Sequence, residues 1–239
     1  MDSVIFAGCS FTYGEGLWRE TGDTHQNSVN QKYLVENRWT TKVVNHFNVI
    51  PICKKHNGGN HIWSLQFVME SINESITNNT NPKLVIFQTT QFSRHEMEID
   101  GQIEKLEEMV IELENKNIPV RFIHWMWPDI NEDEINFWLN KKNDFLGKFN
   151  PTIFMDRKIP PFDGNKLCSK IIRDRTIYIL DDFNFQKMVN HNDAHKKGTI
   201  ANKYTLAGKF NCGDFHMNQE GHDLLAETII NYIEKNKLL

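Results

Sequence analysis

Apolar residues along this chain follow two alternating patterns: short, nearly unbroken runs, and longer stretches in which they return every third or fourth position. The runs at Val4 to Ala7, Val49 to Cys53, Leu84 to Gln88, Val120 to Trp127 and Thr176 to Leu180 are rich in β-branched and aromatic residues and predict five strands. Helical spacing predicts helices over Leu34 to Phe47, His61 to Thr77, Gln102 to Asn117, Glu132 to Phe149 and Asn218 to about Lys235. In the last of these, Asn218 is a good N-cap and Leu225, Ile229, Tyr232 and Ile233 form the inward stripe. Strands that read as continuous apolar runs are buried on both faces, and their alternation with helices predicts a three-layer α/β/α domain around a mainly parallel five-stranded sheet. One domain over residues 1–239 is expected, with irregular insertions near 15–31, 150–175 and 183–212, where Gly, Pro and polar residues break the periodicity.

Composition narrows the functional classes. A chain of 239 residues with 39% hydrophobic residues buries one sizeable core. A net charge of -4 and a pI of about 6.2 leave no basic footprint for nucleic acid. No apolar run approaches the roughly 18 residues of a membrane span, and the N-terminus passes straight into a strand, so a soluble cytoplasmic protein is expected. Cys9, Cys53, Cys168 and Cys212 are scattered without Cys-x-x-Cys spacing, the pattern of reduced thiols.

The candidate chemistry lies at the two ends of the chain. The first strand stops at Gly8-Cys9-Ser10, which puts Ser10 at a strand's carboxyl end, where open α/β sheets form their ligand crevice. Near the C-terminus, Asp214 and His216 stand just ahead of the final helix. A serine needs a base to become a nucleophile, and the imidazole needs a third group to hold its tautomer. Gly8-Cys9-Ser10-Phe11-Thr12 and His216-x-Asn218-x-x-Gly221-His222 together resemble the first and last blocks of the SGNH (GDSL-type) hydrolases. The resemblance implies a flavodoxin-like fold, ester hydrolysis without a cofactor, Ser10 as nucleophile, His216 as base and Asp214 as its orienting carboxylate. It also implies an acyl or acetyl ester substrate, drawn from small molecules, glycans or lipids. The chain departs from the pattern in having Cys9 where the family has aspartate, and Asp-x-His where the family has Asp-x-x-His.

The oxyanion hole of that family takes backbone N–H groups from the serine and from a glycine after the second strand, plus an asparagine amide after the third. Ser10, and Gly58 or Gly59, occupy the first two places; adjacent glycines also let backbone approach a ligand closely. The third block, Gly-x-Asn-Asp, is missing. Gln91 is its nearest chemical equivalent, and the hydroxyls of Thr89 and Thr90 are alternatives. These departures motivate a second reading, a non-catalytic SGNH-like binding or structural module such as a component of a phage particle.

Other polar residues have blander explanations. His124, between aromatic residues of the fourth strand, reads as a core histidine, and Trp125 and Trp127 as packing residues. His191 and His195 have helical i, i+4 spacing but no third ligand, so no metal is expected. A nucleophilic Cys9 lacks a neighbouring base. His222, one turn into the last helix, reads as structural.

Overall fold

The computed structural model describes residues 1–14, 17, 28–53, 60–89, 97, 99–123, 169–177 and 216–239. Four strands, β1 (Asp2–Ala7), β2 (Ile50–Cys53), β3 (Asn81–Gln88) and β4 (Val120–Ile123), form one sheet of order β2-β1-β3-β4. Among the described residues each of the three strand pairings is parallel. Beyond β4, Thr176 makes a further parallel bridge to Phe122, whose N–H donates to the Arg175 carbonyl and whose carbonyl accepts from Ile177 N–H. Thr176 and Ile177, the first residues of the predicted fifth strand, thus lie beside β4; its residues 178–180 lie outside the described residues.

Seven helices accompany the sheet among the described residues: α1 (Ser10–Tyr13), α2 (Ser28–Asn37), α3 (Trp39–Phe47), α4 (His61–Thr77), α5 (Ile99–Asn115), α6 (Lys170–Arg173) and α7 (Gln219–Asn236). Side chains alternate across a strand, so each strand feeds two cores. Val4, Phe6, Leu84 and Ile86 face a cluster with Trp39 and Val43 of α3 and Leu225, Ile229 and Ile233 of α7. Ile5, Ala7, Val85 and Phe87 face the opposite cluster, with Val68 of α4 and Ile103, Leu106 and Leu113 of α5. This is the three-layer arrangement that continuous apolar strands require, because each uncovered face would leave a row of Val, Ile and Phe in water.

Two expectations about elements are corrected. The pattern from Leu34 to Phe47 is two helices rather than one, parted at Arg38, whose φ of -68° and ψ of 150° are extended. The break turns Trp39 fully into the core, edge-on to Phe6 with ring centroids 5.3 Å apart. The segment 150–175 is not irregular to its end. Ser169 caps α6 by accepting from Ile172 N–H, and Arg175 grips Glu114 of α5 with two hydrogen bonds of 2.7 and 2.6 Å. That pair holds the residues leading into the fifth strand against the sheet edge, and the guanidinium bond holds the Glu114 carboxyl below the usual carboxylate range.

Candidate active site

The strand order reverses between β1 and β3, since β2 lies on one side of β1 and β3 and β4 on the other. Outside the carboxyl ends of those two strands a doubly wound sheet opens its crevice. Ser10 is there: β1 ends at Ala7, Gly8 and Cys9 follow, and Ser10 is the first residue of α1. The Cys9 carbonyl accepts from Thr12 and Tyr13 N–H at 3.0 and 3.1 Å, which closes the turn directly behind Ser10.

Two neighbours, Ser64 and Gln88, fix this turn. The Ser64 hydroxyl, from the first turn of α4, donates to the Gly8 carbonyl at 3.3 Å. The Thr12 hydroxyl donates to Oε1 of Gln88, the last residue of β3. Gly8 itself sits where a Cβ would run into the Thr12 hydroxyl and come within 2.8 Å of the Gln88 Cβ, so the close approach of β1 to β3 demands glycine. Neither Thr12 nor Gln88 has an assigned role in the sequence pattern, one closing the first block and the other the third strand. The available signal was a glutamine closing an otherwise apolar strand, Leu84-Val85-Ile86-Phe87-Gln88.

His216 is half-buried on the approach to α7, and Met217 beside it is wholly buried in the cluster that contains Phe6 and Cys9. Asn218 caps α7 as its sequence predicts, its side chain accepting from Gly221 N–H at 2.9 Å. One turn on, His222 is completely buried; its Nδ1 accepts the Trp39 N–H at 3.3 Å, the first amide of α3, which has no cap from its own Arg38. Burial pushes the His222 imidazole down to about 3, with the charges of Lys42, His216 and Arg38 acting in the same direction and Asp223 against. His222 is thus a neutral structural residue within electrostatic range of His216.

Cys9 is buried and free, its side chain packed in the core cluster shared with α3 and α7, a poor position for a nucleophile. Thr89 is also fully buried, and its hydroxyl donates to the Ile123 carbonyl at 3.3 Å, which turns it toward β4 rather than outward. Gly58, Gly59, Thr90, Gln91 and Asp214 lie outside the described residues, as do His124, Trp125, Trp127, His191 and His195. The helix after the Gly58-Gly59 pair is described. Asn60 caps α4, accepting from Trp63 N–H at 2.9 Å. His61 is bound through Nδ1 to Gln102 Oε1 at 3.0 Å, while the Gln102 amide nitrogen donates to the Met97 carbonyl. With that nitrogen given to Met97, the oxygen faces His61, so Nδ1 carries the proton. This chain of bonds ties the start of α4 to the start of α5, around the same end of the sheet.

Among the described residues no three His, Cys, Asp or Glu are grouped as a metal site, and no helix is long and apolar enough to cross a membrane.

Strand order, parallel register and two helical layers define a doubly wound α/β domain whose strand order reverses between β1 and β3. Among solved structures, the chain is similar to that of a protein from Desulfitobacterium hafniense DCB-2 assigned to the G-D-S-L lipolytic family. The likeness covers 96% of this chain and 98% of that one, with a TM-score of 0.40 and 13% sequence identity. No protein-family model matches the sequence, and no curated protein matches it.

Proposed function

We propose that the protein is a serine hydrolase that cleaves an acyl or acetyl ester, with Ser10 as nucleophile, His216 as general base and Asp214 as the group that orients the imidazole. One observation carries the reading more than any other: Ser10 opens a short helix at the β1 side of the strand-order reversal, with the closing segment His216-Met217 anchored in the core that contains Cys9. A crevice at that point is where such a sheet binds ligands, and a serine with an imidazole there is the minimum for acyl transfer.

In the proposed cycle, His216 takes the Ser10 hydroxyl proton as the oxygen bonds to the ester carbonyl carbon. The Ser10 N–H, a Gly58 or Gly59 N–H and the Gln91 amide hold the oxyanion, with Thr90 the remaining hydroxyl alternative to Gln91. The carbonyl reforms, the carbon–oxygen bond to the alcohol breaks, and the alcohol leaves with the proton from His216. Water then attacks the acyl-Ser10 carbonyl, giving a proton to His216; the bond from the acyl carbon to Ser10 Oγ breaks, His216 returns that proton to Oγ, and the acid is released. The substrate is a small-molecule, glycan or lipid ester, and no cofactor enters the chemistry.

The test is turnover of a short-chain aryl ester by wild type and Ser10→Ala. The reading requires hydrolysis by wild type and its loss in the variant; a wild-type chain without Ser10-dependent turnover on any acyl ester favours the non-catalytic module instead.

A further inference from the structure

Thr12 and Gln88 are joined in a place where a polar pair costs stability unless both partners are satisfied. They are 3% and 1% exposed and lie 76 residues apart in sequence, Thr12 in α1 and Gln88 at the end of β3. Gly8 follows Phe6 by two residues and Gln88 follows Ile86 by two, so both continue the face that packs on α3 and α7. That is the face holding Met217, next to His216. The pair therefore bridges the reversal point between β1 and β3, beneath the turn that presents Ser10 and on the side from which His216 arrives.

An apolar pair of the same volume would fill this space without the cost of burying two polar groups. What a hydroxyl–amide bond adds is direction. It fixes Thr12, two residues after Ser10 in the single turn of α1, against a strand whose own position is set by the sheet. Ser64 does the same for Gly8, two residues before Ser10. Ser10 is thus flanked symmetrically by two side-chain hydrogen bonds to separate elements. We propose that Thr12 and Gln88 are positioning residues for the Ser10 nucleophile, holding α1 in the register at which Ser10 meets its base. The inference rests on the hydrolase reading and deepens it.

The test is a double-mutant cycle with Thr12→Val, Gln88→Met, their combination and Thr12→Ser, each assayed for kcat, KM, thermal midpoint and rate of Ser10 labelling by a fluorophosphonate. Thr12→Val and Gln88→Met should each lower kcat and the labelling rate by on the order of 10- to 100-fold with KM nearly unchanged, since a misplaced nucleophile loses rate without losing binding. Thr12→Ser, which keeps the hydroxyl, should stay near wild type. In the combined variant no polar group is left unpaired, so the thermal midpoint should recover while kcat does not. Recovery of kcat together with the midpoint would show a merely structural pair and overturn the inference. So would equal labelling rates for Thr12→Val and Thr12→Ser, the comparison that decides if the combined variant does not fold. Ser10-dependent turnover that Thr12→Val leaves intact overturns this inference alone, whereas a wild-type chain without Ser10-dependent turnover or labelling overturns the hydrolase reading and this inference with it.

Discussion

Ser10, His216 and Asp214 carry unequal shares of the proposed chemistry. His216→Ala removes the general base, a contribution on the order of 100- to 10,000-fold, and kcat should fall accordingly. Asp214→Asn should cost less, because the chain has Asp-x-His where the SGNH pattern it resembles has Asp-x-x-His. Steady-state kinetics on one activated ester rank the two, and an equal or larger loss from Asp214→Asn would show that the carboxylate does more than orient. The third oxyanion donor separates in the same assay. If it is Gln91, then Gln91→Ala lowers kcat by about 100-fold with KM nearly constant, and Thr90→Val is close to silent. Thr89 drops out of this comparison because its hydroxyl already serves the Ile123 carbonyl. Asn218 was legible as a helix cap from local chemistry alone, a side chain with an oxygen at the right distance from the third helical amide. The Thr12–Gln88 bond was not legible. No pattern within β1 or β3 states that their carboxyl ends touch; that follows only from parallel pairing in a definite register.

Elements are held to one another by a few polar contacts laid over the apolar core. Along the α3–α7 seam these are Trp39 with His222, Lys42 with Asp223 and His46 with Glu234, in an order that makes the two helices run in the same direction. The exposed ion pairs contribute little, roughly 0–1 kcal/mol each. His222 matters more, and it makes the seam sensitive to acid. Its imidazole titrates near 6.5 when unfolded and near 3 when folded, so between those values the unfolded chain binds a proton that the folded chain refuses. Stability from this residue is complete above about pH 6.5 and is lost as the pH falls toward 3, by up to ~5 kcal/mol over the whole window. Urea unfolding midpoints of wild type and His222→Gln across pH 7 to 4 check this. The variant keeps an acceptor for the Trp39 N–H without the titration, so its acid decline should be shallower; parallel declines would contradict the account. At the other edge of the sheet, Arg175→Met removes the two-bond grip on Glu114. The pair is partly exposed, and a loss of about 1 kcal/mol in thermal or urea unfolding is expected. Element boundaries inside the core agreed with the apolar pattern, as at His61–Thr77, whereas the break at Arg38 did not show, because α2 and α3 keep one helical spacing across a single extended residue.

At the scale of the whole molecule, the parallel sheet and its two covered faces could be read from continuous apolar runs alternating with amphipathic stretches. Such strands have few other ways to bury both sides. The strand order could not be read in the same way, because no local pattern says which strands pair; the structure shows β2-β1-β3-β4 with a further bridge at Thr176 beside β4. That order places the end of β1 at the reversal point and gives Ser10 its significance. The measurement that tests this most directly is mass spectrometry of the wild-type chain after brief reaction with an activated acyl ester, with peptide mapping of any adduct. The account predicts a single acyl group on the peptide containing Ser10, absent in Ser10→Ala and formed far more slowly in His216→Ala. An acyl group on Cys9, or no adduct and no turnover from wild type, would contradict it.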